Sequence, residues 1–452
     1  SYDTRLLADT YRYFDFDGKV DYQHLTRRKG ESLIFSYLLS TTNQTQNLFV
    51  EYADGINMPV PYDRRENDSR LRFSEHTFQL DYTRPFATNH KLELGGKYIL
   101  RLNNSETAYR FSVPEMNNFT DFRHNTQVGA LYAEYVYNTT RWGARAGLRY
   151  EYSHLAAKYP SGGGQPFSAD MGDLVPTLSV SYNINERNSL KLNFATRISR
   201  PGISYLNPAV DQTPTRVSYG NPDLKSARRH SLNLAYTLMK EKISLNASLY
   251  GGYSDDLISS VVTVVPDGNG NDVINATYGN VGKSLDAGVF GYVQWRVDSK
   301  TSVMTNMSAL WMRVEQRMQN LENSGLSVNV YANIDRDLPW KIKASASGGW
   351  HRGGPSGVYS TSGDIGWYAL ALTRSFLKED RLSVSLQGVN PIGLRYPSWR
   401  GRTVNGDYTG WNKSRYEARN FMLRLSYRFG SFHASVKKAA KTISNDDLEG
   451  RK

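Results

Sequence analysis

The chain of 452 residues contains no cysteine, which excludes disulfide staples, thiolate nucleophiles and cysteine-ligated metal centres. No apolar run approaches the ~18 residues of a membrane-crossing helix, and the mean hydropathy is only −0.56. No G-x-S-x-G elbow occurs. The histidines (His24, His76, His90, His124, His154, His230, His351 and His433) form no close ligand pair in sequence. Without a recognisable nucleophile and base, no enzymatic activity is expected, and no metal or cofactor. A net charge of +12 suggests nucleic acid, but Lys and Arg are spread along the chain instead of forming one basic run, so nucleic acid is not an expected partner.

What the chain does have is aromatic residues and alternation. Tyr (31), Phe (17) and Trp (8) are abundant, and Gly numbers 37. Between Ser231 and Gly251, Leu232, Leu234, Tyr236 and Leu238 alternate with Asn233, Ala235 and Thr237. Ile243, Leu245, Ala247 and Leu249 then alternate with Ser244, Asn246 and Ser248. Successive strand side chains point to opposite faces, so each limb has one apolar face and one small, polar face. Met239–Lys242 leaves room only for a tight turn, whereas the flanking connections, Ser199–Lys225 and Gly252–Gly282, are several times longer. Short turns on one side, long loops on the other and half-apolar strands of roughly ten residues describe an all-β fold, a transmembrane antiparallel β-barrel. A water-soluble β-propeller or β-solenoid also has many short strands. Limbs of roughly 10–14 residues and no fixed short repeat weigh against both.

The alternation recurs from end to end. In Thr10–Leu25, Phe14, Phe16, Gly18, Val20 and Tyr22 lie on one face and Asp15, Asp17, Lys19, Asp21 and Gln23 on the other. A Lys or Arg facing lipid at mid-bilayer costs about 2–4 kcal/mol, so the charged face is lumenal. Polar Ser40–Arg70 is expected to form a loop. Continuing to Asn420–Phe429 gives about seventeen strands. The first and last run toward the same, short-turn side, while single-chain bacterial barrels have even strand numbers. An odd number of strands is therefore expected before Ser1, five making the roughly 22 of plugged transporters. Ser1–Thr10 is polar and offers no export signal, so the natural start is expected upstream. The expected division is a barrel over residues 1–429, lacking N-terminal strands and plug, and a polar periplasmic tail over 430–452.

Two motifs fail on inspection. Gly282-Lys283-Ser284 imitates the end of a phosphate-binding loop, but Thr277 stands where Gly is required, and Leu285–Val297 alternates as a strand rather than a helix. Asp267–Asp272 imitates a calcium loop, but Asp272 and Tyr278 occupy the positions needing Gly and Glu. Its Asp-Gly-Asn-Gly run reads better as a hairpin tip between Val261–Val265 and Val273–Ala276.

From Gly147 onward a series of spaced elements carries a resemblance. These are Gly147-Leu148-Arg149-Tyr150-Glu151, Leu174-Val175-Pro176, Ile198-Ser199-Arg200-Pro201, Leu206-Asn207-Pro208 and Gly220-Asn221-Pro222-Asp223-Leu224-Lys225. In order and spacing the series resembles the barrel domain of TonB-dependent receptors of Gram-negative bacteria, closest to the outer-membrane β-barrel family of Bacteroidota type. The resemblance covers residues 1–429. It implies a 22-strand barrel in the cell outer membrane, filled by an N-terminal plug and driven by a periplasmic TonB protein. The plug and the TonB-contacting segment are not in this sequence. The residues also have their own reading: Pro201, Pro208 and Pro222 cannot donate to a ladder and Gly220-Asn221 forms turns, so Arg200–Lys225 leaves the sheet as an ordered loop above or inside the rim. Arg200 is expected to meet a carboxylate on the wall or plug. Turn chemistry explains these residue types without a ligand, so bracing of the barrel is expected before ligand contact.

A second loop, Pro391–Arg419, concentrates Tyr396, Trp399, Arg400, Arg402, Tyr408, Trp411 and Arg415. Aromatics with arginines suit a sugar, peptide or protein ligand through stacking and bidentate hydrogen bonds. A lipid-interface girdle with arginines on lipopolysaccharide predicts the same composition, and both readings stay open. The expected function is that of an outer-membrane TonB-dependent receptor or transporter barrel, binding ligand at extracellular loops for energised uptake. The alternatives are a structural barrel subunit of an outer-membrane assembly and an open diffusion porin. Expected partners are outer-membrane lipid and lipopolysaccharide, TonB through a plug, and a surface lipoprotein or other envelope subunits.

Overall fold

A computed structural model describes residues 4–53, 62–161, 164–208, 211–213, 216–266, 272–393, 398–405, 408–415, 417–430, 445 and 448–449. Seventeen long strands dominate it. The first eight are β1 (Thr4–Leu25), β2 (Ser32–Ala53), β3 (Arg64–Ala87), β4 (His90–Phe111), β5 (Asn118–Asn138), β6 (Trp142–Lys158), β7 (Phe167–Asn185) and β8 (Asn188–Pro201). Next come β9 (Ala227–Met239), β10 (Ile243–Pro266), β11 (Asp272–Arg296), β12 (Thr301–Gln316) and β13 (Leu321–Leu338). The last are β14 (Ile342–Arg352), β15 (Ile365–Phe376), β16 (Leu382–Val389) and β17 (Asn420–Tyr427). Each pairs antiparallel with the next from β1 to β17, and no pairing between β1 and β17 occurs among the described residues.

Register turns the alternation of single strands into one outer surface. Tyr22, Phe35, Leu80, Gly96, Leu131, Tyr150 and Leu174 stand side by side across β1–β7. Leu192, Leu234, Leu249, Val289, Ala309 and Val328 continue the stripe across β8–β13. Leu232, Leu234, Ile243 and Phe421 are 49%, 41%, 37% and 68% exposed. A water-soluble core would bury them, so the apolar skin faces lipid. The opposite face carries the buried polar side chains, including Glu75, Thr77, Asp81, Arg101, Glu151, Asp173 and Asp286. No helix among the described residues is long and apolar enough to cross a membrane.

The strands outrun the sequence reading on the long-loop side. β2 and β3 extend well into Ser40–Arg70, expected to be a loop, with Asn43 beside Phe14 and Arg72. Likewise, β10 and β11 run on through most of Gly252–Gly282. The cause is physical: where strands rise above the apolar band neither face meets lipid tails, so pairing continues without strict alternation. The expected Val261–Val265 and Val273–Ala276 hairpin is present, Val265 opposite Val273, while residues 267–271 at its tip lie outside the described residues.

Candidate functional site

The series from Arg200 to Lys225 folds inward. After β8, Ile203–Leu206 makes a single helical turn, and Arg216–Ser218 pairs in parallel with Ile274–Ala276 of β11. Leu206 and Leu224 are buried against Phe122, Leu155, Tyr159, Met171 and Ile258 of the inner wall. This gives the barrel an apolar core inside its lumen. The turn residues close it: the Gly220 amide donates to the Asn207 carbonyl (2.7 Å) and the Asn221 amide to that of Tyr205 (2.6 Å). The Asn221 side chain donates to the Tyr278 carbonyl (3.0 Å), and the Tyr159 hydroxyl donates to the Asn207 side chain. Tyr205 packs on Tyr278 with ring centroids 4.3 Å apart. Among the motif residues, Pro201 is buried, whereas Pro208 and Pro222 are half-buried. This packing is what a bracing loop requires.

Arg200 meets a wall carboxylate. It donates to Glu151 on β6, which also accepts from Arg149, and all three belong to a longer ladder. Asp81 on β3, Gly95 on β4, Tyr132 on β5 and Arg149 on β6 are register neighbours. A Cβ on Gly95 would fall 2.2 Å from the Tyr132 ring, so only glycine lets that ring cross β4. Tyr132 thereby donates its hydroxyl to Asp81 (2.7 Å), while the Arg149 guanidinium lies 5.3 Å from its ring centroid. Six residues further along β3 and β4, Arg101 donates to Glu75 (2.5 Å), both almost fully buried. Arg228 reaches Asp173 on β7 (3.2 Å), and Arg229 pairs with Asp286 on β11. Carboxylates as buried as Glu75, Glu151, Asp173 and Asp286 persist as charges only when paired, although Arg228 and Arg229 keep 47% and 37% of their side-chain surface exposed. Apart from Arg149–Glu151, two residues apart on β6, these pairs join residues at least 26 positions apart, so spacing could not reveal them.

A second inner-wall feature lies across β11–β15. Phe290, Tyr331, Trp367, His351, Asn306 and Asn329 line a cavity of about 410 Å³, aromatic faces interleaved with amides. At the rim, Ser398–Asn405 and Tyr408–Arg415 pair as a hairpin that Ser360–Thr361 joins. Arg402 stands opposite Trp411, and Arg400 opposite Lys413. Trp411 is 79% exposed. Tyr396, and the side chains of Trp399, Arg400, Arg402 and Tyr408, lie outside the described residues.

An antiparallel sheet with a lipid-facing apolar skin and an ion-paired inner wall defines a transmembrane β-barrel. The chain belongs to the outer membrane protein beta-barrel family, whose model matches residues 24–427. No curated protein matches it in sequence. Among solved structures it is similar to the ferric citrate transporter FecA in its unliganded form, at 10% identity and a TM-score of 0.67, covering 93% of this chain and 62% of that one. It is also similar to the siderophore receptor PiuA from Acinetobacter baumannii, at 12% identity and a TM-score of 0.63, covering 93% of this chain and 65% of that one. The ferric yersiniabactin uptake receptor FyuA from Yersinia pestis matches at 13% identity and a TM-score of 0.61, over 93% and 62%. At these identities the likeness is one of fold, and the chain spans less than two thirds of each.

Proposed function

We propose that this chain is the barrel wall of a TonB-dependent outer-membrane receptor that binds a ligand at its extracellular side and passes it inward through the lumen. The observation that carries the reading is the inner wall: buried ion pairs line it, and an inward-folded loop packed on an apolar core occupies part of the lumen. A diffusion porin would need a wide, open aqueous lumen. The proposal extends to the whole protein. β1 and β17 both run toward the short-turn side, so an odd number of further strands closes the barrel, and a plug completes the lumen. The barrel's part is binding and passage, with no bond made or broken. Ferric complexes are the ligand class to try first, because the similar solved structures are named for ferric citrate and ferric yersiniabactin.

The test is accumulation of iron-55 supplied as ferric citrate and as a panel of ferric siderophores, in cells with the full-length protein, with and without TonB. TonB-dependent accumulation above a deletion strain supports the reading. TonB-independent passage of small solutes would favour a porin. No uptake together with stable co-purification of envelope proteins would favour a structural subunit, a role to which the exposed Trp411 at the rim is suited.

A further inference from the structure

On the outer face of β2–β6 the side chains change character, row by row, toward the long-loop side. Tyr37, Phe78, Tyr98 and Tyr152 stand level with Gly129, and two residues further along Leu39 and Leu100 flank His76. The next row is Thr41, Ser74, Leu102, Asn125 and Ala156, and the one after it Asn43, Arg72, Asn104, Arg123 and Lys158. These last two rows line a groove of about 780 Å³. At ~3.4 Å per residue and a tilt of ~40°, they stand ~5 and ~10 Å above the Leu39–Leu100 row along the membrane normal, at and just beyond headgroup depth. Among the described residues the side chains of Arg72 and Lys158 have no ion pair or hydrogen bond. Arg123 is held by Asp121 (2.7 and 3.0 Å) and Arg70 stands opposite Glu106, so four cations meet two carboxylates there. The side-chain oxygen of Asn104 is buried without a partner. Lower on the same strands the apolar skin is hollow. Phe35, Phe78, Leu80, Tyr98, Leu131 and Tyr150 surround a second groove of about 490 Å³ at Gly96 and Gly129, and nothing lies within 4 Å of a Cβ added to Gly129.

We propose that the two grooves together form a binding site for a phosphorylated glycolipid of the outer leaflet. Phosphates on its headgroup meet Arg72 and Lys158, whose backbones are three strand spacings, ~14 Å, apart. Asn43, Asn104 and Asn125 supply donors and acceptors for sugar hydroxyls, which a simple phospholipid headgroup would leave unanswered. The acyl chains run down the strands over Gly129 and Gly96, beginning six residues, ~20 Å, below Arg123. The site uses no residue of the rim loop 391–419 and does not depend on what the barrel transports.

The test titrates the full-length protein, in detergent micelles, with fluorescently labelled diphosphoryl lipid A. Wild-type protein should bind it at least about tenfold more tightly than the same lipid stripped of its phosphates, the loss expected for one or more charge-assisted hydrogen bonds. It should also bind it at least about tenfold more tightly than labelled phosphatidylglycerol, and millimolar inorganic phosphate should not displace it. Equal affinity for any two of these lipids, or displacement by inorganic phosphate, would overturn the proposal. The double variant Arg72→Glu, Lys158→Glu should lose at least about tenfold in affinity for diphosphoryl lipid A. Lys240→Glu, in the short turn between β9 and β10 at the other end of the barrel, should lose none. No loss in the double variant, or an equal loss in both, would overturn the proposal too. The lipid comparison needs wild-type protein alone, so it decides the matter even where the double variant does not fold.

Discussion

Replacing Gly220 by alanine tests whether the inward loop is held by its backbone. An added Cβ would fall 2.5 Å from the Asn207 carbonyl oxygen, 2.6 Å from its amide nitrogen and 2.7 Å from the Tyr205 carbonyl oxygen. All three are main-chain atoms, so no change of rotamer makes room. The two hydrogen bonds that close the loop, Gly220 to Asn207 and Asn221 to Tyr205, must lengthen or break. At about 0.5–1.5 kcal/mol net for each, the loop loses about 1–3 kcal/mol of local stability. At 1.4 kcal/mol per factor of ten, that corresponds to opening roughly 5- to 150-fold more often. Hydrogen exchange read by mass spectrometry on the detergent-solubilised protein should show that acceleration in peptides from 202–226, with the β9–β10 hairpin unchanged. Gly129→Ala is the control, since nothing lies within 4 Å of its added Cβ. Identical exchange of 202–226 in Gly220→Ala and wild type would refute the reasoning.

Leu249→Arg places a cation on the lipid-facing stripe and should reduce barrel stability by about 2–4 kcal/mol in guanidinium unfolding from liposomes, whereas Asn233→Arg on the lumenal face should be nearly neutral. Equal effects would invert the assignment of faces. Asp298, in the short turn between β11 and β12, accepts from the amides of Lys300 and Thr301, 2.7 Å each. Foremost through the Lys300 amide, these bonds hold its carboxyl below the ordinary carboxylate range. A depressed folded value means that its contribution is complete above the ordinary range and is lost as pH falls through the folded one. Asp298→Ala should therefore abolish the acid-induced loss of amide protection at Lys300 and Thr301, which hydrogen exchange across that pH range reads directly.

The lipid-facing surface was legible in the sequence because a two-residue period survives wherever one face meets lipid and the other meets protein or water. Leu232 and Leu234 sit where alternation puts them, and the count of about seventeen strands matches the sheet. The upper strands were not legible for the converse reason: around Asn43–Gln46 neither face meets lipid tails, and nothing in composition separates such a strand from a loop. At the site, the prolines and Gly220-Asn221 showed that the chain must leave the sheet, and Arg200 called for a carboxylate. That the carboxylate belongs to Glu151 follows from register between strands far apart in sequence. The Gly95–Tyr132 crossing is a second such case: a glycine and a tyrosine whose relation exists only once β4 and β5 are side by side.

The β10–β11 hairpin has limbs of 24 and 25 residues, the first rising from the three-residue turn that follows β9. At ~3.4 Å per residue and a tilt of ~40°, such limbs rise ~60 Å along the membrane normal, against an apolar band of ~25 Å. Most of the excess, on the order of 30 Å, stands on one side as a tower. Residues 252–282 carry four Asp and no Lys or Arg, and this stretch stands more than one screening length, at ~8 Å each, beyond the phosphate layer, so an approaching cation meets the tower's own charge before it feels the membrane's negative field.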